Sequence, residues 1–342
     1  MKYSFKNDYS EGAHPRILEA LLKTNEVQQP GYGLDEYSME AKRLLQNLLK
    51  RDSQIHFVSG GTQANLTIIA AILRPHESVI AASTGHISTN EAGAIEATGH
   101  KINEVETENG KLTVEDLQNV INQHQNVPHQ VKQRLVYISN STEIGTIYTL
   151  EELKKLYQFC QNNKVYLFMD GARLGNALTS VQNDITLEDL GKYTDVFYLG
   201  GTKNGALLGE AIILNNEELV EDFGFHLKMR GALLAKGRLL GIQFLELLKD
   251  NLYFELADRA NVQAMKIKDA FINIGCDFLT ETFTNQIFPI LNQHQIKELT
   301  KKYDFYVWKH INEKASAIRI ITSWQTPTDI VDQFIHDINN LK

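Results

Sequence analysis

The chain has 342 residues, 43% of them hydrophobic and 22% charged, which suits a globular protein with a large buried core. Its net charge of -8 and its lack of a basic block argue against nucleic-acid binding, because phosphate contacts need concentrated lysine and arginine. Cys160 and Cys276 lack the spacing of a zinc site, so we predict two reduced thiols and no metal. Because the first residues lack an apolar signal core and no stretch is long enough to span a bilayer, we expect a cytoplasmic protein with no membrane contact.

From about Arg16 onward, apolar runs of strand length alternate with amphipathic segments of helix length. This alternation predicts an α/β fold in which a mostly parallel central sheet is covered on both faces by helices. The predicted strands are 55–58, 78–82, 101–106, 134–139, 165–170, 195–200 and 210–214, and the predicted helices are 39–50, 63–73, 113–123 and 150–162. Thr149 and Glu152 have the spacing of a capping box at the start of the last of these helices.

The pattern changes after Asn215 and is mostly helical through Gly275. The segments NQIFPIL, FYVW and AIRIIT then have the composition of short strands, and a last helix is predicted over 329–341. We therefore predict a large domain over residues 1–245 and a small C-terminal α+β domain over residues 246–342.

Polar segments follow five of the predicted strands, and ligands of such sheets bind at the carboxyl ends of the strands. In chain order these segments are SGGTQAN, STGH, NSTEIG, DGAR and GTKNG. If the strands are parallel, the segments gather six side chains around one crevice: Thr62, His86, Glu143, Asp170, Arg173 and Lys203.

Each segment alone also has a purely structural interpretation. SGGTQAN can hold a phosphate at a helix N-terminus or form only a tight turn. Asp170 can meet a protonated ring nitrogen or pair internally with Arg173. His86 can stack on a planar cofactor or serve as an ordinary hydrogen-bonding residue. Lys203 can be a desolvated amine for Schiff-base chemistry or, like most lysines, lie in water. Taken together, these residues are the parts of a pyridoxal-phosphate site.

The chain resembles the low-specificity L-threonine aldolases, within the β-eliminating lyase group of fold-type I pyridoxal-phosphate enzymes. The resemblance extends over nearly the whole chain, and its segments are KND, PGYG, GGTQAN, His86 with EAG five residues later, NSTEIGTIYTLEELK, DGAR, GGTKNG and SAIRIIT. GTQAN, the His86 motif, DGAR and the lysine are specific in combination, whereas any one of them alone is not.

The resemblance implies the fold-type I architecture, with a large domain and a small C-terminal domain, and pyridoxal 5'-phosphate as cofactor. It implies that Lys203 bonds the cofactor aldehyde, that Asp170 contacts the pyridine nitrogen and that His86 stacks on the ring. The other implied contacts are Gly61 and Thr62 with the phosphate, Arg173 and Arg319 with the cofactor oxygen and the substrate carboxylate, Asn7 with that carboxylate, and Tyr32 with a neighbouring subunit's site. For Arg319, the alternative is a pair with an acid of the small domain.

The implied reaction cleaves L-allo-threonine, L-threonine or a related β-hydroxy-α-amino acid to glycine and an aldehyde, in a homotetramer built from two dimers. Two positions depart from the family pattern. Asn7 replaces a serine, and Glu143 replaces a second active-site histidine, where a carboxylate can act as the base or bind a cationic or hydroxylated side chain. The segment RGALLAKGR keeps Arg230, Lys236 and Arg238 without the usual glycines, so one of them covers a phosphate of a neighbouring subunit or all are solvated.

Two other functions are compatible with the same motifs. A β-eliminating lyase that acts on another amino acid would release an α-keto acid and ammonia. A cofactor-binding protein without turnover is the other alternative, and the retention of both Lys203 and Asp170 counts against it; a transaminase is disfavoured because no motif points to one.

Overall fold

The computed structural model describes residues 2–341. Its strands are β1 (Tyr3–Ser4), β2 (Gln54–Val58), β3 (Glu77–Ala82), β4 (Lys101–Val105), β5 (Lys132–Ser139), β6 (Tyr166–Asp170), β7 (Val196–Gly200), β8 (Glu210–Leu214), β9 (Gln286–Ile287), β10 (Ile290–Asn292), β11 (Tyr303–Asp304), β12 (Tyr306–His310) and β13 (Ala315–Ile321). Its helices are α1 (Pro15–Thr24), α2 (Glu36–Leu49), α3 (Gly61–Ile72), α4 (His86–Thr89), α5 (Val114–Gln123), α6 (Leu150–Asn163), α7 (Leu174–Leu178), α8 (Leu187–Tyr193), α9 (Phe223–Met229), α10 (Arg238–Leu248), α11 (Leu252–Asn273), α12 (Gln293–Leu299) and α13 (Thr328–Asn339).

The central sheet has seven strands in the order β2-β8-β7-β6-β5-β3-β4. Strand β8 is antiparallel to β2 and β7, whereas the other neighbouring strands are parallel, so the predicted α/β fold with a mostly parallel sheet is confirmed. The carboxyl ends of the parallel strands meet at one edge of the sheet. Because β8 runs the opposite way, its first residue, Glu210, lies at that same edge, opposite Gly200 and Val58.

Helices cover both faces of this sheet, because each strand presents apolar side chains on two sides. On one face the core includes Leu45 of α2 and Leu153 of α6, and on the other it includes Ile68 of α3 and Phe223 of α9. Full burial of each such side chain stabilises the fold by about 1.5–3 kcal/mol. No helix within residues 2–341 is long and apolar enough to cross a membrane.

Local capping explains where two predicted helices begin. Helix α6 starts after the predicted capping box, in which the Glu152 N–H donates to Thr149 Oγ1 at 3.2 Å and the Thr149 N–H donates to Glu152 Oε2 at 2.8 Å. Helix α2 begins at Glu36, three residues before the predicted start, because Asp35 Oδ1 accepts the N–H of Ser38 at 2.8 Å. The apolar periodicity of α2 predicts the interior of the helix but not its first turn, because that turn is polar.

The C-terminal lobe contains the antiparallel strands β10, β13 and β12, with β9 also paired to β13. Phe271 of α11, Ile320 of β13 and Phe334 of α13 are buried in its core. The N-terminal strand β1 pairs with β11, and Phe5 packs in the same core, so the start of the chain contacts this lobe. The domain limits of 1–245 and 246–342 remain a prediction.

The turn after β6 lies against the end of β7 at Gly171, where an added Cβ would lie 1.8 Å from the carbonyl oxygen of Tyr198. We expect Gly171→Ala to lower the free energy of unfolding by about 3 kcal/mol, because the backbone must move to admit the methyl group. Urea denaturation measures this change. The matched control is Gly224→Ala in α9, where a Cβ meets nothing within 4 Å, and equal unfolding midpoints for the two variants would contradict the prediction.

Candidate active site

A cavity of about 320 Å³ opens at the carboxyl edge of the parallel strands. Its lining includes seven of the predicted site residues: Gly61, Thr62, His86, Glu143, Asp170, Arg173 and Lys203. A second cavity of about 320 Å³ shares four of these residues with the first and adds the predicted Asn7 and Arg319. The strand-end segments therefore converge as predicted, and Tyr32 is the predicted residue that lines neither cavity.

Asp170 ends β6 as a buried carboxylate. Its Oδ2 accepts the hydroxyl of Tyr137 at 2.6 Å and the side-chain N–H of Asn65 at 3.2 Å, and its Oδ1 accepts the backbone N–H of Ala172 at 2.9 Å. Burial favours the neutral acid, yet hydrogen bonds from Tyr137 and Tyr198 hold the pKa of Asp170 below its ordinary value. An ionised carboxylate at this position suits a cationic ring nitrogen.

Arg173 pairs with Asp8 and not with Asp170, so the internal pair considered from the sequence is wrong. Its Nε and one terminal nitrogen donate to the two Asp8 oxygens at 2.7 and 3.0 Å. Asn285 also donates to Asp8 Oδ2, at 2.9 Å. Burial opposes ionisation of Asp8, but the charges of Arg173 and Lys203 keep the pKa of Asp8 below its ordinary value. The guanidinium is thereby fixed in place by a bidentate pair.

His86 is oriented by residues to which the sequence analysis gave no role. Its Nδ1 lies 2.8 Å from Glu91 Oε1, and the same oxygen accepts the side-chain N–H of Asn65 at 2.8 Å. Asn65 also contacts Asp170, so one amide joins the two carboxylates. Because Glu91 Oε1 is an acceptor, the His86 ring carries its hydrogen on Nδ1 and leaves Nε2 for other partners. Asn65 lies in the GTQAN motif and Glu91 in the EAG motif, and these motifs were the sequence signal for the two residues.

Glu143 lines both cavities. Its Oε1 accepts the backbone N–H of His86 at 2.9 Å and the hydroxyl of Ser139 at 2.8 Å. Burial and the charge of Asp170 raise the pKa of Glu143 above its ordinary value. A carboxyl group with this environment exchanges its proton closer to neutral pH than an exposed glutamate.

Lys203 lies in the turn that joins β7 to β8. Gly201 N–H donates to the Gly209 carbonyl at 2.9 Å, and the side chain of Asn204 donates to the Tyr253 carbonyl at 2.7 Å, so the turn is held from both sides. Burial and the charge of Arg173 lower the pKa of Lys203, against the opposing effect of nearby carboxylates. A desolvated amine of this kind is a better nucleophile at neutral pH than an exposed lysine.

Among residues 2–341, the guanidinium of Arg319 contacts aromatic rings and no acid. Its carbon lies 4.5 Å from the centre of the Trp308 ring, and one nitrogen donates to the carbonyl of Lys6 at 3.4 Å. The Arg319 Nε is buried and has no hydrogen-bond partner among the described residues. Burial and the charge of Arg173 lower the pKa of Arg319 to about 10. The pair with a small-domain acid is therefore absent from the described part of the chain, and an anion can approach this group.

Asn7, in contrast, is engaged in a local turn. Its Oδ1 accepts the N–H of Tyr9 at 3.1 Å and the hydroxyl of Ser10 at 2.8 Å. The side-chain amide therefore has an oriented oxygen beside the second cavity.

Helix α3 presents its N-terminus to the first cavity. It begins at Gly61, and its N-cap residue Gly60 makes no side-chain capping bond. A Cβ at Gly61 would lie 3.1 Å from the hydroxyl of Tyr198, so glycine keeps the backbone close to that ring. The first N–H groups of a helix have no partners within the helix, and the helix dipole favours an anion there. This turn can accept a phosphate.

Tyr32 and the basic segment beyond Lys228 lie apart from the cavities. Tyr32 is 49% exposed, and the Lys228 ammonium lies 5.1 Å from the centre of its ring. Arg238 donates to the backbone carbonyls of Thr24 and Val27, so its role in the described chain is structural.

The architecture defines the class of protein. Solved structures of an aspartate aminotransferase from Thermus thermophilus and a serine palmitoyltransferase from Sphingomonas wittichii superpose with TM-scores of 0.72 each, at 14% and 13% identity. Each comparison covers 99% of this chain, with 91% of the first structure and 86% of the second. The chain therefore has the fold of the fold-type I pyridoxal-phosphate enzymes.

The chain belongs to the beta-eliminating lyase family, whose family model matches residues 10–306. It is 31% identical to the low specificity L-threonine aldolase of Pseudomonas aeruginosa, over 98% of this chain and 96% of that protein. It is also similar to a solved threonine aldolase from Leishmania major, with 45% identity, a TM-score of 0.97 and coverage of 98% of both chains. The resemblance predicted from the sequence is confirmed.

Pyridoxal phosphate is the cofactor of this class, and the donor set of the first cavity fits it. The cavity offers a helix N-terminus for a phosphate, an ionised carboxylate at Asp170 for a ring nitrogen, and a desolvated amine at Lys203 for an aldehyde. The buried Arg319 Nε, which has no hydrogen-bond partner within residues 2–341, lies at the second cavity and leaves a donor there for an anion.

Proposed function

We propose that the chain is a pyridoxal-phosphate-dependent aldolase that cleaves L-allo-threonine, L-threonine or a related β-hydroxy-α-amino acid to glycine and an aldehyde. The observation that carries the proposal is the convergence of Lys203, Asp170 and Glu143 around one cavity, in a chain of this family. The amine, the ionised carboxylate and the carboxyl group of raised pKa supply the three functions that such a cleavage needs.

In this proposal Lys203 holds the cofactor through its aldehyde, and Asp170 keeps the ring nitrogen protonated. Gly61 and Thr62, at the N-terminus of α3, would donate N–H groups to the phosphate, and His86, oriented by Glu91, would contact the ring. When bound, pyridoxal phosphate supplies an electron sink for the electron pair released at Cα. The protein supplies binding, orientation and electrostatics around that group.

Arg319 and Arg173 bind the substrate carboxylate and thereby fix the rotation about Cα. Arg173 is held rigid by Asp8, and Arg319 has a buried nitrogen free for an anion. The oriented amide of Asn7, beside the same cavity, contributes a further polar contact. Holding the carboxylate in this way keeps the Cα–Cβ bond in the orientation needed for cleavage.

Glu143 acts as the base in this proposal. Its carboxylate accepts the proton of the substrate β-hydroxyl, so that a carbonyl forms at Cβ while the Cα–Cβ bond breaks. Ser139 and the backbone of His86 hold one oxygen of Glu143 in place, which leaves the other to face the cavity. Glycine leaves after Cα takes up a proton.

Glu143→Gln is expected to lower kcat by about 100-fold or more while the affinity for pyridoxal phosphate stays unchanged, because glutamine accepts the same hydrogen bonds but cannot take up the proton. Because burial raises the pKa of Glu143, the wild-type rate should fall as the pH drops through that raised pKa, and the variant should lose this acid limb. Stopped-flow turnover and cofactor titration measure the two quantities. Wild-type kinetics in the variant would make Glu143 structural.

Product analysis tests the proposed activity against its alternative. Purified, cofactor-loaded protein is mixed with L-allo-threonine, and acetaldehyde, glycine, keto acid and ammonia are assayed together. Acetaldehyde with an equal amount of glycine is the expected result. Keto acid with ammonia would instead support a β-eliminating lyase, and the absence of all products from a series of β-hydroxy-α-amino acids would support a silent cofactor-binding protein.

We further infer that the chain assembles as a homotetramer of two dimers, in the cytoplasm, with Tyr32 reaching a neighbouring subunit's site. The exposure of Tyr32 and its position outside both cavities support a role between subunits. Sedimentation of the purified protein tests the tetramer, and a monomer at assay concentration would contradict it.

A further inference from the structure

Glu210 is a buried carboxyl group that the proposed mechanism does not use. It is the first residue of β8, and the reversed direction of that strand brings it to the edge of the sheet where Lys203 lies. Its side chain lines the same cavity as Lys203, and the residue is only 4% exposed. Burying a carboxyl group has a large desolvation cost unless a hydrogen bond or a positive charge compensates it.

Glu210 is one of three buried carboxylates whose charges act on Lys203. Three carboxylates, Asp8, Asp170 and Glu210, act on the lysine, together with the positive charge of Arg173. Asp8 forms a bidentate pair with Arg173, and Asp170 accepts hydrogen bonds from four donors: Tyr137, Tyr198, Asn65 and the backbone of Ala172. Glu210 accepts hydrogen bonds from the Thr202 side chain and the Gly201 N–H, so of the three it has the fewest donors and no bidentate cation pair.

The local bonds of Glu210 are compatible with two protonation states. Its Oε2 accepts the backbone N–H of Gly201 at 3.1 Å, a contact that a neutral or an ionised carboxyl can make. Besides Lys203, the titratable groups that act on Glu210 or feel its charge are Asp170, Tyr198 and Tyr253. The Tyr253 hydroxyl donates to the Gly200 carbonyl at 2.9 Å, so it offers Glu210 no hydrogen.

The pKa directions agree with this geometry. Burial raises the pKa of Glu210 to about 8, although Lys203 opposes that rise, and burial lowers the pKa of Lys203. The proton affinities of the two groups therefore approach each other, which is the condition for one proton to be shared between them.

We propose that Glu210 is the proton partner of Lys203, taking the proton from the Nζ ammonium when Nζ must act as a nucleophile and returning it when Nζ is released. One N–H bond breaks, one O–H bond forms on Glu210, and the nitrogen keeps the electron pair with which it attacks. The proposal rests on the proposed bond between Lys203 and the cofactor. Glu210 is thus a positioning and proton-holding residue and has no direct contact with the substrate in this scheme.

A spectroscopic pH titration of the cofactor-loaded full-length protein, without amino-acid substrate, tests the proposal. The visible absorbance of the bound cofactor reports the protonation of the lysine nitrogen. The wild type is expected to give a curve broader than a one-proton titration. Glu210→Gln is expected to give a one-proton curve with its midpoint lowered by about one pH unit or more, because an amide supplies no negative charge to stabilise the N–H cation.

Two further variants complete the test. Glu77→Gln is the matched control, because Glu77 is also a buried glutamate but begins β3 at the opposite edge of the sheet, and its curve should equal that of the wild type. Glu210→Asp should give an intermediate midpoint, and it decides the question if Glu210→Gln does not fold. A wild-type curve from Glu210→Gln, or from Glu210→Asp where the glutamine variant does not fold, would overturn the proposal and leave Glu210 only a structural contact of Gly201.

The outcomes separate this inference from the proposed function. A protein that binds the cofactor and shows the shifted midpoint, but releases no aldehyde, would overturn the aldolase activity and support the Lys203–Glu210 pair. A protein that binds no pyridoxal phosphate would overturn both.

Discussion

Lys203→Ala is expected to abolish the visible absorption of the bound cofactor and to lower turnover of L-allo-threonine by about 10⁴-fold or more, because the variant has no amine for the cofactor aldehyde. The other lysines that the structure describes lie outside the two cavities at the sheet edge, so none of them can replace the missing group. The absorption spectrum of protein purified with excess cofactor, followed by a turnover assay, checks the result.

The control for this experiment is Lys192→Ala. Lys192 lies on the surface, where it pairs with Glu188 at 2.6 Å, and its removal should leave both absorption and turnover unchanged. If Lys203→Ala kept the visible band while Lys192→Ala lost it, the assignment of the cofactor-binding lysine would be wrong.

Asp170→Asn is expected to lower kcat by about 10³-fold with little change in the fold. A carboxylate beside a cationic ring nitrogen contributes roughly 4 kcal/mol at about 4 Å and an effective dielectric of about 20, before desolvation is subtracted, and this corresponds to about three pKa units. Asparagine has nearly the same shape but no charge, so the bound ring loses its proton near neutral pH and withdraws electrons less strongly. Turnover and the pH dependence of the cofactor absorption measure the loss.

Asp195→Asn is the matched control for that substitution. Asp195 is also buried, and its Oδ2 accepts the N–H of Leu167 at 2.7 Å, but it precedes β7 at the opposite edge of the sheet. It should retain turnover at the temperature of the assay. Equal turnover in Asp170→Asn and the wild type would remove Asp170 from the proposed mechanism.

The residues that could be predicted from the sequence follow buried strands directly. Asp170 ends β6, and Lys203 lies three residues beyond β7, so hydrophobic runs and strand-end geometry were enough to locate them. Strand β8 was predicted at its observed bounds, 210–214, but its direction was not, because hydrophobic patterning does not encode whether a strand is parallel. Glu210 was missed for that reason.

Contacts between distant segments were also beyond the sequence analysis. Asp8 and Arg173 are 165 residues apart, so only the folded chain brings them together. Asn65 lies in the GTQAN motif, yet its bridge from Glu91 to Asp170 depends on the packing of α3 against the edge of the sheet. Local patterns identify side chains capable of chemistry, whereas the pairs that orient them are set by packing.

The N-terminal segment contacts both the small lobe and the two arginines that we propose to bind the substrate carboxylate. Strand β1 is anchored to β11, the carbonyl of Lys6 accepts a hydrogen bond from Arg319, and Asp8 holds Arg173. A displacement of these few residues therefore shifts both proposed carboxylate-binding arginines together. Substitutions within residues 3–8, although far in sequence from the motifs that carry the chemistry, therefore act on the geometry of the binding pocket.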